Sequence, residues 1–172
     1  MRRHVKRERP SLLGDAVPPL RVVIDANIFA AGLLAKRQSS SAEILRLWRS
    51  GVFQVLLNGT LVNEIERTLA RKHVSRDDIA TLVDILSEIP DILVPIRHQR
   101  MGLRDERDDH LLETAIVGKA QIVVSRDRKV LDPPLHVENM LRREGIALMS
   151  DVEFLATIHG KIFSPLVVTG IA

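Results

Sequence analysis

The sequence predicts an α/β domain, a three-layer sandwich built around a mostly parallel, five-stranded sheet. Strand-like and helix-like segments alternate along most of the chain, the order that crossover units between parallel strands require. The strand candidates are continuous apolar runs rather than alternating ones, as in strands covered on both faces. Several helix candidates open on Ser and stop at Gly or Pro.

In order, "RVVIDAN" begins with the β-branched run Val22 to Ile24 and ends in Asp25. "SSSAEILRLWRSG" is a helix with apolar Ile44, Leu45, Leu47 and Trp48 and with Gly51 as its stop, and "VFQVLLN" is a strand. "GTLVNEIERTLARKH" is an amphipathic helix with Leu61, Ile65 and Leu69 on one face. "SRDDIATLVDILSEIP" is a further helix opened by Ser75 and closed before Pro90, and "DILVPI" is a strand. "DDHLLETAIVGKA" is a helix followed at once by the strand "QIVVS". "RDRKVLD" is a short turn or helix before Pro133 and Pro134, "IALM" a late strand, and "SDVEFLATI" a helix capped by Ser150. Residues 1–20 are expected to form a flexible basic extension, 21–158 the folded domain and 159–172 a tail; no internal repeat is visible.

Length and composition suit one domain with a real core. The absence of Cys excludes disulfides, thiolate chemistry and Cys-based zinc sites, and fits a cytoplasmic protein. No apolar run is long enough to span a membrane, and the basic N-terminus lacks the apolar stretch of a secretory signal. The pI of about 9.7 comes from a net charge of only +3, because without Tyr or Cys almost nothing titrates between His and Lys. That balance permits a nucleic-acid partner without demanding one. The four Phe and one Trp are too few for a protein that binds single strands mainly by base stacking, and Trp48 reads as core.

Carboxylates are the informative residues. Asp25 ends the first strand and Asp127 follows the strand "IVVS", so a parallel sheet puts both at its C-terminal edge, where α/β proteins bind ligands. "LRDERDDHLLETA" holds five acids in thirteen positions. At roughly 100° per residue, Leu111, Leu112, Ala115 and Ile116 define a buried stripe with Asp108 near its middle. On that wheel Asp109 lies at the edge and is expected to be solvated, while Glu113 and His110 fall outside. Asp108 is therefore either an inward-facing helix cap or an acid that holds a cation. Periodicity does not choose between Glu64 and Glu66, which both flank the apolar stripe of their helix.

"VVIDANIF", "LVNEIERTL", "RDERDDHLLETA" and "IVVSRDRKVL", in that order, resemble the PIN domain family over Arg21 to Thr157, and most closely its toxin components of toxin–antitoxin systems, related to VapC-type toxins. The corresponding residues are Asp25 with Asn27, Glu64 before Ile65, Asp105 and Asp108 with Ala115, and Ser125 with Asp127. The resemblance selects Asp108 over Asp109 and Glu64 over Glu66. Ala26 and Glu106 depart from it, standing where Thr and Pro are usual.

The resemblance implies an endoribonuclease leaving a 5′-phosphate and a 3′-hydroxyl, with RNA as substrate, an antitoxin as partner and a homodimer as assembly. It implies Asp25, Glu64, Asp108 and Asp127 as the catalytic and metal-binding acids, with Asn27, Ser125 and Asp105 supporting them. Converging carboxylates without a cation would repel, and an all-oxygen set suits Mg²⁺ or Mn²⁺ rather than Zn²⁺. Arg97, Arg100, Arg104 and Arg107 form a basic patch that could hold an RNA backbone. The competing readings are an inactive PIN scaffold that binds protein and an RNA-processing nuclease outside any toxin–antitoxin pair. A receiver or a haloacid-type phosphatase is disfavoured, because "IDANIF" has neither an acidic pair nor Asp-x-Asp.

Overall fold

The computed structural model describes residues 19–35, 38–77, 79–80 and 93–163. Most of the N-terminal extension, most of the helix expected from Ser75, the start of "DILVPI" and the end of the C-terminal tail lie outside the described residues.

Strand β1 (Arg21–Ile24) sits inside the sheet, where Val22, Val23 and Ile24 are fully buried. Helix α1 (Ala26–Leu33) follows directly, capped by Asp25, and buries Ile28, Phe29 and Ala30. Helix α2 (Ser40–Arg49) is capped by Ser39. It packs closely on α1 because Gly32 has no side chain: a Cβ there would lie 2.6 Å from Ser41 O. Trp48 meets Phe29 edge-on at 5.4 Å, as a core residue. Gly51 ends the helix segment at φ 79. Strand β2 (Gln54–Leu56) then leads to α3 (Gly59–Arg71), whose cap, Asn58, accepts from Leu61 N–H at 2.8 Å.

A 3-10 turn (Glu106–Asp108) leads into α4 (Asp109–Val117), followed by β3 (Ile122–Val124) and the short α5 (Arg128–Leu131). Helix α6 (Leu135–Glu144) starts after the Pro pair and ends at Gly145, φ 70. Strand β4 (Ala147–Met149) and α7 (Asp151–Phe163) complete the order. The expected Ser150 cap is present as a reciprocal pair: Glu153 N–H donates to Ser150 Oγ at 3.3 Å, and Ser150 N–H to Glu153 Oε2 at 2.8 Å.

The described sheet is wholly parallel, with order β2-β1-β3-β4, and helices flank it. It has four strands rather than the five expected. The described residues of the "DILVPI" segment contribute an isolated parallel bridge, Leu93 to Leu57, with Val94 N–H donating to Leu57 O at 2.7 Å. Beyond this bridge the partner leaves the sheet, because Asn58 already caps α3. Two helices, α1 and α6, were not anticipated from the sequence pattern.

Candidate active site

The order β2-β1-β3-β4 sends the chain one way from β1 and the other way from β3. Crevices form beyond the strand ends at such a reversal. Asp25 and Ser125 are the residues that follow these two strands, and Asp25 N–H donates to Val124 O at 2.9 Å. The buried Asp25 carboxylate is held on both oxygens, by Asn27 N–H at 2.9 Å and by the Ser125 hydroxyl at 2.7 Å. Ser125 Oγ in turn accepts from Asp127 N–H at 3.0 Å, so one buried hydroxyl positions two acids. Asp127 caps α5 by accepting from Lys129 N–H at 2.8 Å. Arg126, between them, is tied instead to Asp151 and to Ser41.

Glu64 projects from α3, and its Oε2 lies 3.1 Å from His110 Nε2. Asp108 stands at the entry to α4, but its side chain makes no capping hydrogen bond. Burial, then the charges of Asp105, Asp127, Asp25 and Glu64, push its carboxyl up to about 6. Asp105 behaves in the opposite way. Its carboxylate accepts from Arg107 Nε at 3.0 Å and Nη2 at 2.9 Å, with Lys129 Nζ at 3.4 Å, and the Arg107 hydrogen bonds hold it well below the ordinary carboxylate range.

Asp25, Glu64, Asp108 and Asp127 line a single cavity of about 670 Å³, with Asn27 and Asp105 also in its walls. Glu66 is exposed and is not part of that wall. Arg67, Arg71, Arg107 and Lys129 line the cavity too, setting cations around a nest of acids. Arg107 is the one member of the expected basic patch found there. Arg100 lines an adjoining cavity of about 380 Å³ that shares Glu64, Arg67 and Arg107, and is paired with Glu106 at 2.5 Å. Arg97 contributes its backbone N–H to Glu113, and Arg104 faces Asp132 at 3.8 Å.

The helical wheel misjudged three residues of α4. Asp109 is buried, not solvated: it accepts from Met101 N–H and Leu103 N–H, both at 2.9 Å. Glu113 is buried and accepts from Arg97 N–H at 2.6 Å and Gln99 N–H at 3.1 Å. His110 is buried between Glu64 and Asn58. The wheel assumed one wet face, whereas every residue from Asp109 to Ala115 is buried. The 97–103 segment covers the remaining face and supplies the donors that its acids need.

The family model for the PIN domain matches residues 21–129, from β1 to the start of α5 and well over half of the chain. The chain belongs to the PIN domain family. Among curated proteins there is no match. PIN domains are generally nucleases, and those nucleases generally use divalent metals.

In this PIN domain the donor chemistry fits such an ion. The acids are oxygen ligands, and burial together with the neighbouring acids already raises Asp108. Among the described residues, no three Asp, Glu or His side chains are gathered tightly enough to hold an ion by themselves. Mg²⁺ does not need such a cage: it keeps several waters and is commonly held by one or two carboxylates plus substrate phosphate oxygens. Asp25, Glu64, Asp108 and Asp127 could supply those carboxylates.

The cavity cations Arg67, Arg71 and Lys129 were missed by the sequence reading. A signal existed for two of them, since Arg67 and Arg71 follow Glu64 by three and seven residues and share its helix face.

Proposed function

We propose that this PIN domain is a divalent-metal-dependent endoribonuclease and the toxin of a type II toxin–antitoxin pair, with Asp25, Glu64, Asp108 and Asp127 as its acids. The supporting observation is that the four carboxylates, from four separate chain segments, line one cavity at the sheet edge with cations around them. A bound Mg²⁺ or Mn²⁺ would supply activation of water and neutralisation of charge on the phosphate and leaving oxygen. The chain's own part is to orient and to bind. Ser125 fixes Asp25 and the Asp127 backbone, Asn27 N–H fixes the other Asp25 oxygen, and Arg107 is held at the rim by Asp105. Arg67, Arg71, Arg107 and Lys129 offer positive charge to the phosphates flanking the scissile bond. The toxin role rests on the motif resemblance; in that role the partners are an antitoxin and a second copy of the chain.

The test is cleavage of structured and unstructured RNAs with Mg²⁺ or Mn²⁺, alongside growth of a bacterial host on induction. Wild type should cleave and arrest growth, and Asp25→Asn and Asp108→Asn, which keep shape and remove charge, should lose at least about a hundredfold in rate and spare growth. Cleavage without growth arrest would leave a nuclease of another role. No cleavage and no metal binding would leave a protein-binding scaffold.

A further inference from the structure

Buried polar side chains connect the start of α3 to the acid cavity through α4. Asn58 is fully buried, and its amide orientation is fixed by two backbone groups that can each act in only one sense. Leu61 N–H can only donate, and it meets Oδ1 at 2.8 Å. The His110 carbonyl can only accept, and it lies 3.4 Å from Nδ2. Nδ2 is therefore the amide nitrogen, and it lies 3.2 Å from His110 Nδ1. One Nδ2 hydrogen serves Thr114 and the other lies between the His110 carbonyl and Nδ1; the amide nitrogen accepts nothing, so a protonated Nδ1 would meet no acceptor there, and the ring proton of the neutral imidazole belongs on Nε2. Nε2 faces Glu64 Oε2 at 3.1 Å. Thr114 completes the arrangement, accepting from Asn58 Nδ2 at 2.5 Å and donating to the His110 carbonyl at 2.6 Å.

We propose that Asn58 and His110 are positioning residues for Glu64: Asn58 sets His110 in the Nε2–H tautomer, and that N–H holds one Glu64 oxygen and leaves the other for the cavity. Glu64 is half-exposed on a long, flexible side chain, so without a fixed donor its carboxylate would be spread over several rotamers. His110 is thereby a support for an acid and not itself a ligand, because both ring nitrogens already have partners. The inference rests on the nuclease reading only where Glu64 is taken to serve a metal ion.

Two measurements test it on the full chain. Long-range proton–nitrogen spectra of ¹⁵N-labelled wild type at neutral pH, with the His110 ring assigned by through-bond correlation to its own backbone, should show a ring protonated on Nε2 alone. A ring protonated on Nδ1 overturns the proposal. Calorimetric titration with Mn²⁺ alone should show binding weakened about tenfold to a hundredfold in His110→Phe and largely restored in His110→Gln, whose amide can donate to Glu64 and accept from Asn58. A folded His110→Phe that binds Mn²⁺ as tightly as wild type overturns it. So does a His110→Gln as weak as His110→Phe, since packing alone would then carry the effect. A wild type that binds no Mn²⁺ overturns the nuclease reading, while the tautomer still decides the Asn58–His110–Glu64 arrangement. The tautomer is read on the wild type, so a variant that fails to fold leaves the test intact.

Discussion

Asp108 and Asp109 are neighbours with the same side chain and opposite tasks. Asp109 is buried under backbone N–H donors and holds the 97–103 segment in place. Asp108 has no capping bond and faces other acids across the cavity. That placement has a thermodynamic signature in the metal-free protein. The Asp108 carboxyl is pushed up to about 6, above its value in an unfolded chain. Between about pH 4 and that point the folded state binds the extra proton, so this group's contribution to stability is lost as pH rises through the window. Its partial exposure screens the effect to about 1 kcal/mol. Urea denaturation of metal-free Asp108→Asn should therefore show a gain of about 1 kcal/mol over wild type at pH 7 and little difference at pH 4. Equal stabilities at both values would mean that burying Asp108 among other acids costs nothing.

At the scale of elements, α4 carries the lesson of what a sequence shows. Its apolar stripe and its place before β3 are legible from Leu111, Leu112 and Ala115, whereas Asp108, expected on that stripe, stands partly exposed in the turn before the helix. The burial of Asp109, His110 and Glu113 is not legible, because it depends on how the preceding 97–103 loop folds back over the polar face. Among the described residues the fifth strand is cut to one bridge, because its partner becomes α3 straight after Leu57, and that helix start is legible in the sequence. The carboxylates of Asp109 and Glu113 hold the amides of Arg97, Gln99, Met101 and Leu103, alternate positions of one loop that turns at His98 and Gly102. Those four amides should exchange slowly with solvent deuterium and as a group. In Asp109→Ala, which leaves buried donors unpaired, the amides of Met101 and Leu103 should lose protection and global stability should fall by about 3 kcal/mol. Fast exchange at all four in wild type would show that the segment is not fastened to the helix.

For the whole molecule, the cavity is assembled from residues far apart in sequence: the bond between Ser125 and Asp25 spans 100 positions. The acids, with Asn27, Ser125 and Arg107, are named by the sequence. Lys129 and the Asn58–His110 pair are not, because single polar residues carry no periodicity, and Arg67 and Arg71 show only as neighbours of Glu64 on its helix face. The family match ends at residue 129, while β4 runs Ala147–Met149, beyond it. A chain cut after Lys129 would keep every acid of the cavity and lose the strand that pairs with β3. Ile122, Val123 and Val124 would then present an open, flat, apolar edge, the kind that recruits a strand from another molecule. Such a chain should sediment as aggregates where the full protein does not; if it stays dispersed and folded, β4 is dispensable as a shield. The same cut would free Ser125, whose N–H donates to Met149 O at 3.1 Å, and with it the hydroxyl that sets Asp25 and Asp127. The last strand thus guards against self-association and steadies the acids together, and a shortened chain would be expected to lose solubility and site geometry in one step.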